Sequence, residues 1–171
     1  MSVAFLADNS GSMGARHDGA SRPIDQLAVV MQQVLPTVPD ARVVVFNTLP
    51  TELFGLEPGP NFKLPEPMGS TAMHRAFELV ATMQPKPARI VLITDGQPDD
   101  AQAAIAAVRA LAPIAIDAYH VGPDGDIAAL GFLRTLTLSG GSFSGVALQR
   151  SLANPKALAD EVILRLSGPA K

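Results

Sequence analysis

The chain has 171 residues, 47% of them hydrophobic, with no cysteine and a net charge of −3. That length predicts one domain over residues 1–171 with a substantial core, and the missing cysteine excludes disulfides, thiolate metal sites and thiol nucleophiles. Mild acidity, scattered basic residues and few aromatics (seven Phe, one Tyr) argue against nucleic acid, and no apolar run approaches the roughly 20 residues that span a bilayer, so the expectation is a cytoplasmic protein with no membrane or nucleic-acid partner.

The first apolar run, Val3 to Ala7, has no polar interruption and reads as a strand buried on both faces. It ends in Asp8-Asn9-Ser10-Gly11-Ser12-Met13. A polar loop from Gly14 to Arg22 follows, with Ser21 expected to cap a helix that has Pro23 in its first turn. Ile24, Leu27, Ala28, Met31, Val34 and Leu35 recur at helical spacing. Arg42 to Phe46 is a second, β-branched strand. From Thr48 to Met68 the chain is rich in Pro and Gly, which allows a short edge strand over Glu52 to Leu56 but no central one.

Gly69-Ser70-Thr71 opens a helix whose buried stripe is Ala72, Met73, Ala76, Phe77 and Val80. Arg89 to Thr94 is a third buried strand, again ending in an acid and a glycine, Asp95-Gly96. Asp99 and Asp100 favour the start of the next helix through its dipole, and Ile105, Val108 and Leu111 give that helix its face. Ile114 to Val121 is a fourth strand, followed by a turn from Gly122 to Gly125. A helix with Ile127, Leu130, Leu133 and Leu136 closes at Gly140-Gly141, and Ser142 to Val146 is a last short strand. Asn154 and Pro155 start a final helix bearing Leu158, Val162 and Leu166. Strands alternating with helices predict an α/β, Rossmann-like doubly wound sheet, mostly parallel, with helices on both faces and one short antiparallel edge strand.

Asp8, Ser10 and Ser12 place three oxygen ligands around one turn, the outline of a hard-cation site; taken alone, the same residues also fit a polar turn that caps a helix. Thr71 and Asp95 also follow a buried strand or precede a helix. With the strands from Val3 and Arg89 as central neighbours, Asp8 and Asp95 would meet at the switch point of the sheet, where ligands of open α/β folds bind. Two such carboxylates repel unless a divalent cation lies between them.

These motifs resemble those of the von Willebrand factor A (vWA) family and its metal-ion-dependent adhesion site, in the expected order along nearly the whole chain. Asp8-Asn9-Ser10-Gly11-Ser12 is similar to the family's Asp-x-Ser-x-Ser, Gly69-Ser70-Thr71 to its threonine loop, and Thr94-Asp95-Gly96 to its Thr-Asp-Gly. The resemblance implies that Asp8, Ser10, Ser12, Thr71 and Asp95 hold Mg²⁺, with Mn²⁺ or Ca²⁺ as substitutes. It implies a non-enzymatic module to which a protein partner binds by adding an Asp or Glu to the metal, and, at the family level, work beside an AAA+ ATPase of the MoxR type. The Gly14 to Arg22 loop looks longer than the family's and would form a rim of the site.

The enzymatic alternative is a Mg²⁺-dependent phosphatase of the haloacid-dehalogenase type. That chemistry needs a second acid two positions after the nucleophile, where this chain has Ser10, and the nearest lysines, Lys63 and Lys86, lie in Pro-rich loops. Gly11-Ser12-Met13-Gly14 lacks dinucleotide-binding spacing. His17, His74 and His120 are dispersed, which suits neither a triad nor zinc.

Overall fold

A computed structural model describes residues 2–16, 21–121, 126–138, 142–144 and 155–168. Its elements are β1 (Val3–Asp8), α1 (Pro23–Val34), β2 (Ala41–Phe46), β3 (Pro50–Leu53), α2 (Met73–Thr82), β4 (Arg89–Thr94), α3 (Ala101–Ala110), β5 (Ala115–His120), α4 (Ile127–Thr137), β6 (Ser142–Ser144) and α5 (Pro155–Ser167). One six-stranded sheet has the order β3-β2-β1-β4-β5-β6. All its pairings are parallel except β2 with β3. From β1 the chain winds outward to β2 and β3, then returns to lay β4 on β1's other side. The reversal of strand order therefore lies between β1 and β4, as the sequence predicts.

Side chains of a strand alternate between faces, which builds two cores from one sheet. Phe5, Ala7, Val43, Val45, Val91 and Ile93 pack under α1 and α5. Leu6, Val44, Phe46, Ile90 and Leu92 pack under α2, α3 and α4. Covering both faces explains the unbroken apolar runs of β1 and β4, whose residues are all buried. Met13, in a 3-10 turn over Gly11–Gly14, is buried in the first core and anchors the loop after β1. Among the described residues no helix is long and apolar enough to cross a membrane.

Several local expectations shift. The edge strand is Pro50–Leu53, not Glu52 to Leu56: Pro50 sits at the first position, where a missing N–H is tolerated, and Gly55 at φ +63° turns the chain away. Arg22, not Ser21, is the N-cap of α1, and no side chain caps it. Ile127 is 81% exposed, and Ala129, Leu133 and Leu136 make the buried side of α4. The turn from Gly122 to Gly125, Gly140-Gly141, Asn154, residues 145–146 and residues 17–20 of the rim loop lie outside the described residues.

Candidate metal centre

The carboxyl ends of β1 and β4 set the base of the site. Asp8 is the last residue of β1 and fully buried. Its Oδ1 accepts the Ser10 N–H at 2.8 Å, and its Oδ2 accepts the hydroxyl of Thr94, the last residue of β4. The chain turns at once after Asp8, so Ser10 remains buried while Ser12 emerges into solvent. Ser10 Oγ lies 3.1 Å from Ser12 Oγ, and Ser12 Oγ donates to Asp95 Oδ1 at 2.9 Å. Four of the five residues singled out from sequence thus form one polar string from the sheet to the surface.

Thr71 reaches the site through its loop. Gly11 N–H donates to the Gly69 carbonyl at 3.2 Å, and Met68 N–H to the Asn9 carbonyl at 3.0 Å. Asn9 is itself buried and donates its side-chain amide to the Glu66 carbonyl at 3.2 Å, pinning the Pro-rich segment against β1. Gly69 adopts φ +70°, and a Cβ there would stand 2.5 Å from Thr48 Oγ1. The half-buried Thr71 makes no hydrogen bond through its hydroxyl among the described residues and has no direct bond to the other four. Its loop precedes α2, which starts at Met73 with no side-chain cap.

Burial acts on both carboxylates, and the charge of Asp8 acts on Asp95. Asp8 is pushed above the usual carboxylate range by burial, opposed by its bonds from Ser10, Thr94 and the Asp95 backbone. Asp95 is raised to about 6 by burial and then by the charge of Asp8, with the Ser12 bond opposing. Neither has an ion-pair partner among the described residues, although Arg22, Arg42 and Arg89 all find acids elsewhere. A pair of adjoining acids with two hydroxyls beside them and no protein cation is a donor set that fits a divalent ion of the Mg²⁺ type. Among the described residues no group of three or more His, Asp or Glu is placed to hold a metal ion.

The helix-dipole expectation for Asp99 and Asp100 divides. Asp100 is the N-cap of α3 and accepts the Ala103 N–H at 2.9 Å. Asp99 lies outside the helix and accepts the Thr71 N–H instead. From sequence, Thr94 enters only as part of the Thr94-Asp95-Gly96 motif and Asp99 only as a helix-dipole acid; neither carries a sign of its bond to a residue many positions away. Thr94 could have been found from its place one step past the β1–β4 register, opposite Asp8.

The same architecture occurs in solved structures. A von Willebrand factor type A protein from Catenulispora acidiphila matches with a TM-score of 0.68 at 15% identity, over 95% of this chain and 42% of that one. The vWA fold is the fold of this chain. Another vWA-like match is the manganese-loaded TRAP protein of Plasmodium vivax, with a TM-score of 0.61 at 18% identity over 92% of this chain and 72% of that one. Proximal thread matrix protein 1 from the mussel byssus, with a zinc-occupied MIDAS motif, matches with a TM-score of 0.64 at 18% identity, over 96% of this chain and 45% of that one. The chain therefore spans less than half the length of the Catenulispora and mussel proteins. No family profile and no curated protein matches the sequence. At these identities the likeness establishes the vWA fold, and function must come from the site itself.

Proposed function

We propose that this vWA-fold chain, taken as one module over residues 1–171, is a non-enzymatic, metal-dependent protein-binding domain. Asp8, Ser10, Ser12, Thr71 and Asp95 would hold a divalent cation, Mg²⁺ under cellular conditions, and a partner's Asp or Glu would bind to it. The observation that carries the proposal is the pair of buried, mutually repelling carboxylates, Asp8 and Asp95, at the switch point with serine hydroxyls beside them and no protein cation. A bound divalent ion supplies the positive charge that this pocket lacks and a partner carboxylate needs. The mussel protein with a zinc-occupied MIDAS and the manganese-loaded TRAP protein support the same use of this fold.

The chain's own residues divide the work. Asp8, held from two sides at the base, supplies fixed negative charge; Ser10 and Ser12 supply neutral oxygens that leave the ion's charge undiminished for a visitor. Asp95 lies beside Ser12, which is exposed, so the site opens on that side. Exposed Leu49 and Met68 stand at the same end of the sheet, together with exposed Arg75, which donates to the Thr48 carbonyl at 3.3 Å. Arg75 has no acidic partner among the described residues and would attract an acidic segment.

A phosphatase of this type would need a second acid where Ser10 stands; Ser10 is a buried serine whose hydroxyl lies 3.1 Å from Ser12 Oγ. The partner class we favour is an AAA+ ATPase of the MoxR type, in the cytoplasm, a setting that a chain without cysteine suits. The test is association with such an ATPase in Mg²⁺, in EDTA, and after Mg²⁺ is restored. Binding that EDTA abolishes, Mg²⁺ restores and Asp8→Ala removes is the expected result. Metal-indifferent binding, or turnover of phosphomonoesters lost in Asp8→Asn, would overturn it.

A further inference from the structure

Asp99 is bonded twice to Thr71. Its Oδ1 accepts the Thr71 N–H at 3.0 Å, and its own N–H donates to the Thr71 carbonyl at 3.0 Å. That carbonyl also accepts the Met73 N–H at 2.8 Å. Both backbone polar groups of Thr71 are thus fixed, and its hydroxyl is the group left to act.

The usual use of an acid before a helix does not explain Asp99, because Asp100 already caps α3. The carboxylate of an exposed residue is spent instead on a backbone N–H 28 positions earlier. Its effect is to close a triangle. Gly11 joins the first loop to Gly69, Ser12 joins the first loop to Asp95, and Asp99 joins the Asp95 loop back to Thr71. Without the third edge, the Thr71 loop is tied to the loop after β1 through Met68 and Gly69, and to the residues after β2 through Ser70 and Ala72, but not to the loop that carries Asp95.

We propose that Asp99 is a positioning residue, which sets the Thr71 hydroxyl for the divalent cation by clamping the Thr71 backbone to the loop that carries Asp95. This rests on the metal-site proposal above. Partners of metal ligands that are removed in this way typically cost 10–100-fold in affinity.

The test is Mn²⁺ affinity, read from free Mn²⁺ by electron paramagnetic resonance, for wild type, Asp99→Ala, Asp99→Asn, Thr71→Ala and the Thr71→Ala/Asp99→Ala double variant. Melting temperatures in EDTA are read alongside. Asp99→Ala is expected to weaken Mn²⁺ about tenfold with the EDTA melting temperature nearly unchanged, and Asp99→Asn, whose amide oxygen still accepts, to restore most of it. In the Thr71→Ala background, Asp99→Ala should add nothing, because the clamp then has no hydroxyl to set. A full additional tenfold loss there, or Asp99→Asn as weak as Asp99→Ala, would make Asp99 a mere charge and overturn the proposal. So would unchanged Mn²⁺ affinity in Asp99→Ala. A wild type that binds no Mn²⁺ would sink the metal site itself and the clamp with it, an outcome distinct from the others.

Discussion

Thr94 donates its hydroxyl to Asp8, so the last residue of β4 holds the last residue of β1 at the switch point of the sheet. The bond is buried and joins residues 86 positions apart. A buried carboxylate stripped of one donor keeps its charge and loses part of its compensation, a cost of about 1–3 kcal/mol.

Thr94→Val is therefore expected to lose about 1–3 kcal/mol in metal-free urea denaturation at pH 7, while Thr94→Ser, which keeps the hydroxyl, loses less. The penalty should shrink at low pH, as Asp8 takes a proton and no longer needs every donor. Mn²⁺ affinity should fall about tenfold in Thr94→Val, as for other residues that orient a ligand. Equal stability of the Val and Ser variants at every pH would show that the bond has no energetic role.

Asp95 gives the metal-free protein a pH dependence of unusual sign. Its folded value is about 6, above the roughly 3.9 of an unfolded chain. The folded state then holds the proton more tightly, so this residue's contribution is most favourable below about pH 4 and declines as pH rises through 6. The full loss is about 3 kcal/mol, from about two pKa units at 1.36 kcal/mol each. In EDTA, Asp95→Asn should be more stable than wild type at pH 7.5 and lose that advantage at pH 4.5. The same variant should lose most Mg²⁺-dependent stabilisation. A wild-type-to-variant difference flat across that range would show that burial and Asp8 do not raise the Asp95 carboxyl.

Much of this was legible because strand burial and strand order are set by long apolar runs. Val3 to Ala7 and Arg89 to Thr94 have no polar interruption, so they belong at the centre of the sheet, and the acids that follow them must meet. Ser10, Ser12 and Asp95 do join in one string. Thr71 was placed by loop similarity, and the structure ties its loop, not its hydroxyl, to the rest. The roles of Thr94 and Asp99 depend on hydrogen bonds across 86 and 28 positions, for which local spacing carries no signal. The helix from Ile127 is where its apolar spacing puts it, but periodicity alone does not say which of two overlapping stripes faces the sheet; α4 buries the one with Ala129 and leaves Ile127 exposed.

Metal should act on stability as well as on binding. An ion held only by the folded state adds about 2.7 kcal/mol at 100 times its Kd. Mg²⁺ or Mn²⁺ should raise the melting temperature, EDTA should reverse the rise, and Asp8→Ala should abolish it. In EDTA, Asp8→Ala should remain folded, because removing one of two neighbouring acids relieves repulsion with Asp95. A melting temperature indifferent to all three additions would count against the site. Unfolding of Asp8→Ala in EDTA would instead make Asp8 a structural anchor.

Two glycines separate backbone strain from site geometry. Gly55 and Gly69 both have left-handed φ, +63° and +70°, so alanine at either costs about 1–2 kcal/mol from its Cβ alone. A Cβ at Gly55 meets nothing within 4 Å, whereas at Gly69 it would stand 2.5 Å from Thr48 Oγ1. That hydroxyl accepts the Ser70 N–H at 3.2 Å, so the threonine loop must shift to admit the methyl group. Gly55→Ala should thus show only the stability loss, with Mn²⁺ affinity at the wild-type value. Gly69→Ala should lose more stability and also weaken Mn²⁺, because its carbonyl is the partner of Gly11 in the loop after β1 that carries the proposed ligands. Calorimetry on the two variants decides it: equal Mn²⁺ affinities would show that the Gly69–Gly11 contact does not set the position of the ligands.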